Sequence, residues 1–430
     1  MVLAGSPLRM FRVSAGGAHV LAAALSGEQP DTDIVRKLLD RFVDAGALHP
    51  EHEAAPFTVA DVTVVMPVLN TTPTPPMGLR TIVVDDGSAP AIACDADNAE
   101  VLRLSTNRGP AAARNAGLAL VQTPLVAFID ADVMVDAGWL GPLLTHFADP
   151  AVALVAPRVA GAPGDGTLAA YERRHSPLDL GDEPARIAPG TRVSYVPAAA
   201  MLCRVDALRS VGGFDESMRV GEDVDLVWRL IASGQRARYE PATVVLHRPR
   251  SSFGALLRQR QGYGRSAAPL ARQHPGSLAP VRMSAWSAGV WALLAMRRPW
   301  LAAAVAGGTA AALARKLKDV PAEESVRLTL RGHLAAGRQL AKGITRAWWP
   351  IALVLGILVP RSRLPLLAAA LGPSIADALR QRSVQPVLDT PLLLADEMAY
   401  ATGVWQGVVQ QREPGPLLPE FTTWPMRGER

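Results

Sequence analysis

Four short apolar runs, each of which leads into a polar turn, constrain the fold of this 430-residue chain more than any other feature. The runs are residues 62–66, 81–84, 101–104 and 126–129, and an alanine-rich helical stretch, 110–122, separates the last two. Short apolar strands that alternate with helices are typical of a parallel sheet covered on both faces. The sequence therefore predicts an α/β fold in which the polar residues after the strands share one edge of the sheet.

The first connection in this sheet departs from the usual strand–helix–strand pattern. Only about a dozen residues separate the first two runs, which is close to the minimum for a parallel crossover. Residues 71–76 include three prolines, and these exclude a helix because proline lacks a backbone donor and clashes with the preceding turn. We therefore expect a bare loop at this position.

Two aspartates, Asp130 and Asp132, close the fourth apolar run and say more about function than any other residues of the chain. A strand that ends in Asp-Ala-Asp delivers carboxylates to the edge of the sheet where open α/β proteins bind ligands. Two hard oxygen ligands there suit Mg²⁺ or Mn²⁺ on a diphosphate. An ordinary turn or a helix cap is the alternative, since aspartate favours both.

Polar residues also follow other strands of the predicted sheet. Asp85 and Asp86 come directly after the second run, where carboxylates can accept hydrogen bonds from a nucleobase or a ribose; a common Asp-Gly turn is the alternative. Asn107 precedes the helix that Pro110 begins, and Arg114 lies one turn into it, from where it would reach back toward a nucleotide. An exposed arginine on a surface helix is the alternative for Arg114.

A second acidic site is predicted at Glu222 and Asp223, which lie at or near the start of a helix. The helix dipole favours negative charge there, and a carboxylate held beside a substrate can act as a general base. A pair of capping acids is the alternative. His247 ends an apolar strand-like run, from where it would complete a metal site with the two aspartates of the fourth run.

Gln261 and Arg265 lie in a glycine-rich segment with several donor side chains. Such a segment would close over a diphosphate, because arginine binds phosphate oxygens through its forked nitrogens. A solvated basic loop is the alternative.

Changes in composition divide the chain into three predicted domains. Residues 1–57 carry short helical patterns typical of a small winged-helix-like module, and balanced charges on its helices argue against nucleic-acid binding. Residues 61–275 contain the predicted sheet, and residues 276–430 are rich in apolar helical runs. The net charge of +5 fits an anionic lipid or a phosphorylated ligand. The two cysteines give no disulfide framework and indicate a reducing compartment.

The apolar runs after residue 276 are each shorter than the roughly 20 residues that span a bilayer. Tryptophans lie in or beside these runs, with arginines nearby, among them Trp300, Trp348, Arg297 and Arg361. Tryptophan and arginine at the ends of apolar segments are typical of a membrane interface, whereas a soluble bundle of buried helices is the alternative. Because the N-terminus lacks the regions of a signal peptide, we expect attachment at the cytoplasmic face of the membrane.

Seven motifs, taken together and in this order, resemble those of a family 2 glycosyltransferase with the GT-A fold. They are Val64-Val-Met-Pro67, Val83-Val-Asp-Asp-Gly-Ser88, Asn107-Arg-Gly, Ala113-Arg-Asn115, Phe128-Ile-Asp-Ala-Asp132, Gly212-Gly-Phe-Asp215 and Gly221-Glu-Asp223. The N-terminal module is similar to small peptide-carrier proteins of modified-peptide pathways. Trp348-Trp-Pro350 and residues 396–405 resemble the C-terminal region of the mycofactocin-system branch of the family.

The resemblance implies a role for each matching residue. Asp223 would deprotonate the acceptor hydroxyl, with Glu222 beside it, in a single displacement that inverts the anomeric carbon. Asp130, Asp132 and His247 would hold Mg²⁺ or Mn²⁺ on the diphosphate of the donor. The nucleotide sugar would be bound by Pro67, Asp85, Asp86, Asn107, Arg114, Asp130, Gln261 and Arg265.

In this branch of the family, the donor would be UDP-glucose and the acceptor a peptide-derived redox cofactor, mycofactocin. The segment that holds Gln261 and Arg265 lacks the tryptophan of the Gln-x-x-Arg-Trp motif of processive relatives, so the motif does not imply repeated glucose addition. Two alternatives stay open, namely a family 2 enzyme that acts on a lipid or polysaccharide acceptor at the membrane and a non-catalytic peptide-binding scaffold. A nucleotidyltransferase would usually carry a glycine-rich loop near its first strand, and residues 66–72 contain none.

Overall fold

The computed structural model describes residues 1–28 and 32–422. Within it the chain divides into two compact units, Met1–Ser251 and Ser252–Arg430. The first unit therefore contains both the predicted N-terminal module and most of the predicted sheet domain. The second unit begins before the change in composition at residue 276.

The first unit contains eleven described strands and seven described α-helices. The strands are β1 (Val2–Ala4), β2 (Arg9–Phe11), β3 (Val62–Val68), β4 (Thr81–Asp85), β5 (Ala99–Arg103), β6 (Leu125–Ile129), β7 (Val133–Met134), β8 (Val152–Gly161), β9 (Ala185–Arg186), β10 (Ala200–Arg204) and β11 (Arg236–His247). The helices are α1 (Ala15–Leu25), α2 (Asp33–Asp44), α3 (Pro110–Leu120), α4 (Leu140–Thr145), α5 (Gly166–His175), α6 (Val205–Ser210) and α7 (Glu222–Ala232).

Nine of these strands form one sheet, in the order β5-β4-β3-β6-β10-β8-β11-β7, with β9 paired to β11. The four predicted runs are β3, β4, β5 and β6, which pair in parallel as the sequence indicates. The expectation of an all-parallel sheet is wrong beyond β6, because β10 runs antiparallel to both β6 and β8. Its first residue, Ala200, lies opposite Ile129, so the loop that enters β10 reaches the edge where β6 ends.

The loop between β3 and β4 contains no helix, as its prolines predict. The two strands are aligned from Val64 opposite Thr81 to Val68 opposite Asp85. The polar residues after β4 therefore lie beside the end of β3, at the same edge of the sheet as the end of β6.

The alanine-rich helix α3 packs directly on the sheet. Gly117 allows this contact, because a Cβ atom there would lie only 2.4 Å from a methyl group of Val65. On the other face, a core of aliphatic and aromatic side chains includes Met66, Ile129 and Leu140. Burial of this apolar surface stabilises the sheet and fixes the position of the loops at its edge.

The N-terminal segment consists of the antiparallel pair β1–β2 and the helices α1 and α2. Thr32 caps α2, and the ring of Phe42 stacks on Phe11 with 4.4 Å between ring centroids. Arg236 on β11 forms ion pairs with Asp40 and Asp44 of α2. This segment is thus bound to the sheet, while its winged-helix classification stays a prediction.

The second unit contains two short strands and nine described α-helices. The strands are β12 (Arg282–Ser284) and β13 (Glu420–Thr422), which pair in parallel. The helices are α8 (Phe253–Arg265), α9 (Ala267–Gln273), α10 (Ala285–Ala295), α11 (Pro299–Lys316), α12 (Ala322–Arg346), α13 (Trp349–Leu358), α14 (Arg363–Gln381), α15 (Gln385–Leu388) and α16 (Thr390–Gln411). Across residues 1–28 and 32–422, no helix is both long and apolar enough to cross a membrane.

The glycine-rich segment that holds Gln261 and Arg265 is the end of helix α8, so the alternative of a solvated basic loop is wrong. Its glycines serve close helix packing. A Cβ atom on Gly264 would lie 1.9 Å from the carbonyl oxygen of Tyr400, and one on Gly403 would lie 2.0 Å from that of Gln261. The backbones of α8 and α16 are therefore in direct contact.

Candidate active site

The two acids after β4 organise the loops around them. Asp85 is fully buried, and its carboxylate accepts hydrogen bonds from the backbone of Ser88 at 2.8 Å and Ile92 at 3.2 Å, and from the guanidinium of Arg103. Burial alone would raise the pKa of Asp85, but these hydrogen bonds and the charge of Arg103 lower it. Asp85 is therefore ionised and fixed, and its contact with a uridine stays a prediction.

Asp86 joins β4 to the start of α3. Its two carboxylate oxygens accept hydrogen bonds from the backbone N–H groups of Arg108 at 2.7 Å and Gly109 at 2.8 Å. The neighbouring Gly87 has a φ of +77°, and a Cβ atom there would lie 2.6 Å from the backbone nitrogen of Asn107. Only glycine allows this close approach, which holds the loop after β4 against the turn before α3.

Asn107 is also held by a residue far along the chain. Its side-chain oxygen accepts a hydrogen bond from Arg219 at 2.8 Å. In the same way, Asn115 on α3 accepts from the backbone of Phe214 at 2.9 Å. These bonds connect α3 to the Gly-Gly-Phe-Asp segment before α7.

Arg114 is the centre of the acidic site. Its side chain is only 5% exposed, and its two terminal nitrogens donate to Glu222 and Asp130, each at 2.7 Å. Burial alone would lower the pKa of the guanidinium, but the charges of Asp130 and Glu222 raise it. One arginine thus joins the end of β6 to the start of α7, and a uridine contact from it stays a prediction.

Asp223 lies in the first turn of α7. Its carboxylate accepts hydrogen bonds from the backbone of Val224 at 2.8 Å and of Ala198 at 3.2 Å, and Ala198 belongs to the loop that enters β10. Burial raises the pKa of Asp223, with the charge of Asp130 acting in the same direction. Burial and the charge of Asp223 raise the pKa of Glu222 to about 7.

His247 ends β11 and contacts the last residue of the Asp-Ala-Asp motif. The distance from its Nε2 atom to an Asp132 carboxylate oxygen is 3.3 Å, and Arg250 approaches the same oxygen at 3.4 Å. Burial alone would raise the pKa of Asp132, but the hydrogen bond and charge of His247, together with Arg250, lower it. An ionised carboxylate and an imidazole therefore lie side by side at the edge of the sheet.

The structure brings most of the predicted site residues together. The end of β6, the start of α7 and the loop before β10 meet, because Arg114 joins Asp130 to Glu222 and the backbone of Ala199 accepts from that of Asp130 at 3.0 Å. Pro67 lies at the carboxyl end of β3, opposite Val84. The carboxylates predicted to act on the donor and on the acceptor therefore share one edge of the sheet.

Gln261 and Arg265 lie in the second unit, where both side chains bind Gln406 of α16, at 3.1 and 2.8 Å. Their contact with a diphosphate stays a prediction. Sequence reasoning overlooked Arg250 and Arg219. The segment His247-Arg-Pro-Arg250 is a local signal for Arg250, since a basic residue there lies three positions from a predicted ligand.

The site residues fit a divalent cation that is bound together with a diphosphate. Asp132 and His247 offer a carboxylate oxygen and an imidazole nitrogen close together, whereas Asp130 is engaged by Arg114. No group of three or more His, Cys, Asp or Glu side chains in the described part of the chain is arranged to hold a metal ion. Mg²⁺ and related ions commonly bind through one or two side chains and complete their coordination with substrate phosphates.

Comparison with known proteins places the chain in a family. The sequence model described as glycosyl transferase family 2 matches residues 66–212. The pre-mycofactocin glycosyltransferase of Mycobacterium tuberculosis (strain H37Rv) is 41% identical, and the alignment covers 98% of this chain and 94% of that protein. The succinoglycan biosynthesis protein ExoU of Rhizobium meliloti (strain 1021) is 33% identical over 37% of this chain and 51% of its own length.

Among solved structures, the mannosyltransferase PcManGT from Pyrobaculum calidifontis, in complex with GDP-Man and Mn²⁺, superposes with a TM-score of 0.44 and 18% identity. The superposition covers 92% of this chain and 99% of that one.

Proposed function

Since this chain belongs to the family 2 glycosyltransferases, we propose that it transfers glucose from UDP-glucose, with inversion, to the peptide-derived acceptor of mycofactocin biosynthesis. The acceptor follows from the pre-mycofactocin glycosyltransferase, which matches the chain over nearly its whole length. A UDP-sugar donor is what the resemblance of the sequence motifs to the family implies. The chemistry follows from the acidic site at the edge of the sheet.

The observation that best supports the proposal is the position of Asp223 next to Glu222, which Arg114 pairs with Asp130. A base for an acceptor hydroxyl must lie beside the groups that bind the donor. Arg114 joins Glu222, the residue before Asp223, to Asp130 of the Asp-Ala-Asp motif through two contacts of 2.7 Å. The raised pKa of Asp223 suits a base that accepts a proton during the reaction.

The proposed reaction is a single displacement. Asp223 takes the proton of the acceptor hydroxyl as the oxygen forms its bond to the anomeric carbon. The bond from that carbon to the diphosphate breaks, and its electron pair leaves with UDP. Backbone N–H groups of Ala198 and Val224 hold the Asp223 carboxylate in place for this step.

Asp132 and His247 would hold Mg²⁺ or Mn²⁺ against the donor diphosphate. A divalent ion there neutralises the negative charge that develops on the leaving group. Arg250, next to Asp132, adds a positive charge at the same place. Asp130 forms an ion pair with Arg114, so its role is to position that arginine beside the acids of α7.

A donor panel tests the reaction. Purified chain is incubated with UDP-glucose, UDP-galactose, UDP-N-acetylglucosamine and GDP-mannose, with Mg²⁺ or Mn²⁺ and a mycofactocin-type acceptor, and products are read by mass spectrometry. We expect addition of a hexose from UDP-glucose with β configuration by NMR. Retention of configuration, or no transfer from any nucleotide sugar, would refute the proposal.

A matched pair of variants tests the base. Asp223→Asn should cut turnover by at least about 10²-fold, with UDP affinity nearly unchanged, because the general base is lost while the donor site stays. Asp206→Asn is the control, since Asp206 is an acid in the first turn of another helix, α6. Turnover by Asp223→Asn near the wild-type rate would show that another group takes the proton.

The location of the enzyme at a membrane surface is part of this proposal. None of the ten residues of α13 is buried, and its apolar side chains include Ile357 and Leu358, which are 63% and 72% exposed. Arg361 and Arg363 follow directly. An exposed apolar helix beside arginines suits the interface of an anionic bilayer, where apolar side chains enter the acyl boundary and arginines contact lipid phosphates.

Vesicle sedimentation tests the location. The chain should pellet with vesicles of phosphatidylcholine and phosphatidylglycerol and less with phosphatidylcholine alone. Exchange of Ile357 and Leu358 for glutamate should release it, while the same exchange at Val409, an exposed residue of α16, should not. Wild-type chain that stays in the supernatant with anionic vesicles would refute attachment.

A further inference from the structure

Two arginines face each other on neighbouring strands of the first unit. Arg238 on β11 and Arg186 on β9 lie directly opposite each other in the antiparallel register. Arg238 is only 4% exposed, and its Nη1 atom has no hydrogen-bond partner among the described residues. In the same described ranges, neither side chain forms an ion pair. Like charges at opposed positions of a sheet repel, so this pair destabilises the fold as it stands.

The carboxylates near this pair are already engaged by a third arginine. Arg236, two residues before Arg238, binds Asp40 at 2.9 Å and Asp44 and Asp149 at 2.8 Å each. Burial and the charge of Arg236 lower the pKa of Arg238 to about 10, so Arg238 remains charged at neutral pH. A buried charge without a partner destabilises the folded state, and an anionic ligand would offset that cost.

The groups that surround Arg238 are suited to an anion. Burial, followed by the charge of Arg238, lowers the pKa of His49, so this imidazole is neutral at pH 7 and able to donate one hydrogen bond. His146 is bound to Glu240 at 2.9 Å, so that carboxylate is engaged as well. Gly46 lies over Arg186, because a Cβ atom there would be 3.4 Å from the Cβ of this arginine.

We propose that Arg186 and Arg238 form a binding site for an oxyanion, a carboxylate or a phosphate, between the segment after α2 and the sheet. Two guanidinium groups supply forked donors that match the geometry of such a ligand. The site is distinct from the acidic site, since Arg238 pairs with Val155 of β8 and His247 pairs with Gly161, which is six positions or roughly 20 Å further along that strand. The proposed anion site therefore does not depend on the proposed glycosyl transfer. Its ligand would bind beside the N-terminal segment.

Thermal unfolding of the full chain tests the site. Inorganic phosphate, citrate and a hexaglutamate peptide are each compared with sodium chloride at equal ionic strength. A ligand at ten times its Kd should raise the Tm by about 3–6 °C, from mass action on the folded state. A rise with phosphate alone identifies a phosphate ligand, and a rise with citrate or the peptide identifies a carboxylate. No rise with any of them overturns the proposal.

Arg238→Met separates a binding role from a structural one. Without added anion, this variant should melt at or above the wild-type Tm, because a buried unpaired charge is removed while its volume is kept. It should also lose the rise that the anion causes. Arg36→Met, an exposed arginine on α2, is the control and should keep that rise. A lower Tm without anion, or an undiminished rise in Arg238→Met, would refute the site.

Discussion

Replacement of Arg114 by glutamine should destabilise the first unit strongly. Arg114 is paired with Glu222 and Asp130 while only 5% exposed, so its loss leaves carboxylates without a counter-charge in a site with little water. Loss of one partner from a buried ion pair costs about 3–5 kcal/mol. In a unit of this size, each kcal/mol lowers the Tm by about 2–4 °C, so we expect a fall of about 6–20 °C.

The control for this change is the surface pair Arg108–Glu216. Its two atoms are also 2.7 Å apart, but the side chains are 56% and 41% exposed. Exposed pairs contribute only about 0–1 kcal/mol, so Arg108→Gln should lower the Tm by no more than about 4 °C. The comparison holds the distance between paired atoms constant, while burial and the number of paired acids differ.

Differential scanning calorimetry gives the Tm of each variant. Adding Glu222→Gln to Arg114→Gln should recover part of the loss, because the double variant carries one unpaired carboxylate fewer. Equal Tm values for Arg114→Gln and Arg108→Gln, or no recovery in the double variant, would refute the network of buried charges as the source of stability.

Three further predictions concern the metal, the base and the helix pair. Asp132→Ala should weaken UDP binding in Mn²⁺ and much less in EDTA, as measured by calorimetric titration; equal loss in both would indicate a folding role. The kcat/KM of the wild type should decrease as the pH is lowered, with an apparent pKa above the usual carboxyl value near 4, because burial raises the pKa of Asp223 and the base must be deprotonated. A decrease with an apparent pKa near 4 would contradict the assignment. Gly264→Ala should destabilise the second unit by about 1–3 kcal/mol through its clash with Tyr400, whereas Gly262→Ala, which meets no atom within 4 Å, should not; equal unfolding midpoints of the two variants in urea would refute direct backbone contact.

The features that the sequence predicted well are local ones. The apolar runs that became β3, β4, β5 and β6 are short and end in turn residues, and the proline-rich loop after Val68 allows no helix. The start of α7 at Glu222 follows from an acid pair before an amphipathic pattern. Such patterns fix strands, helices and their ends without knowledge of distant residues.

The features that the sequence did not predict depend on residues far apart along the chain. The direction of β10 depends on its pairing with β6, and no local pattern records it. Arg114 reaches Glu222, 108 residues further along the chain, so its place within the acidic site could not be read from the helix on which it lies. Gly264 resembled a loop glycine because the helix that requires it, α16, begins at Thr390.

The three carboxylates around Arg236 have a consequence for attempts to shorten the chain. Two of them, Asp40 and Asp44, come from α2, and the third, Asp149, comes from the sheet side. A truncated chain that starts after residue 57 would leave this arginine with one acid, Asp149. We therefore expect the N-terminal segment and the catalytic sheet to unfold as one cooperative body, and an enzyme trimmed to its catalytic motifs to aggregate.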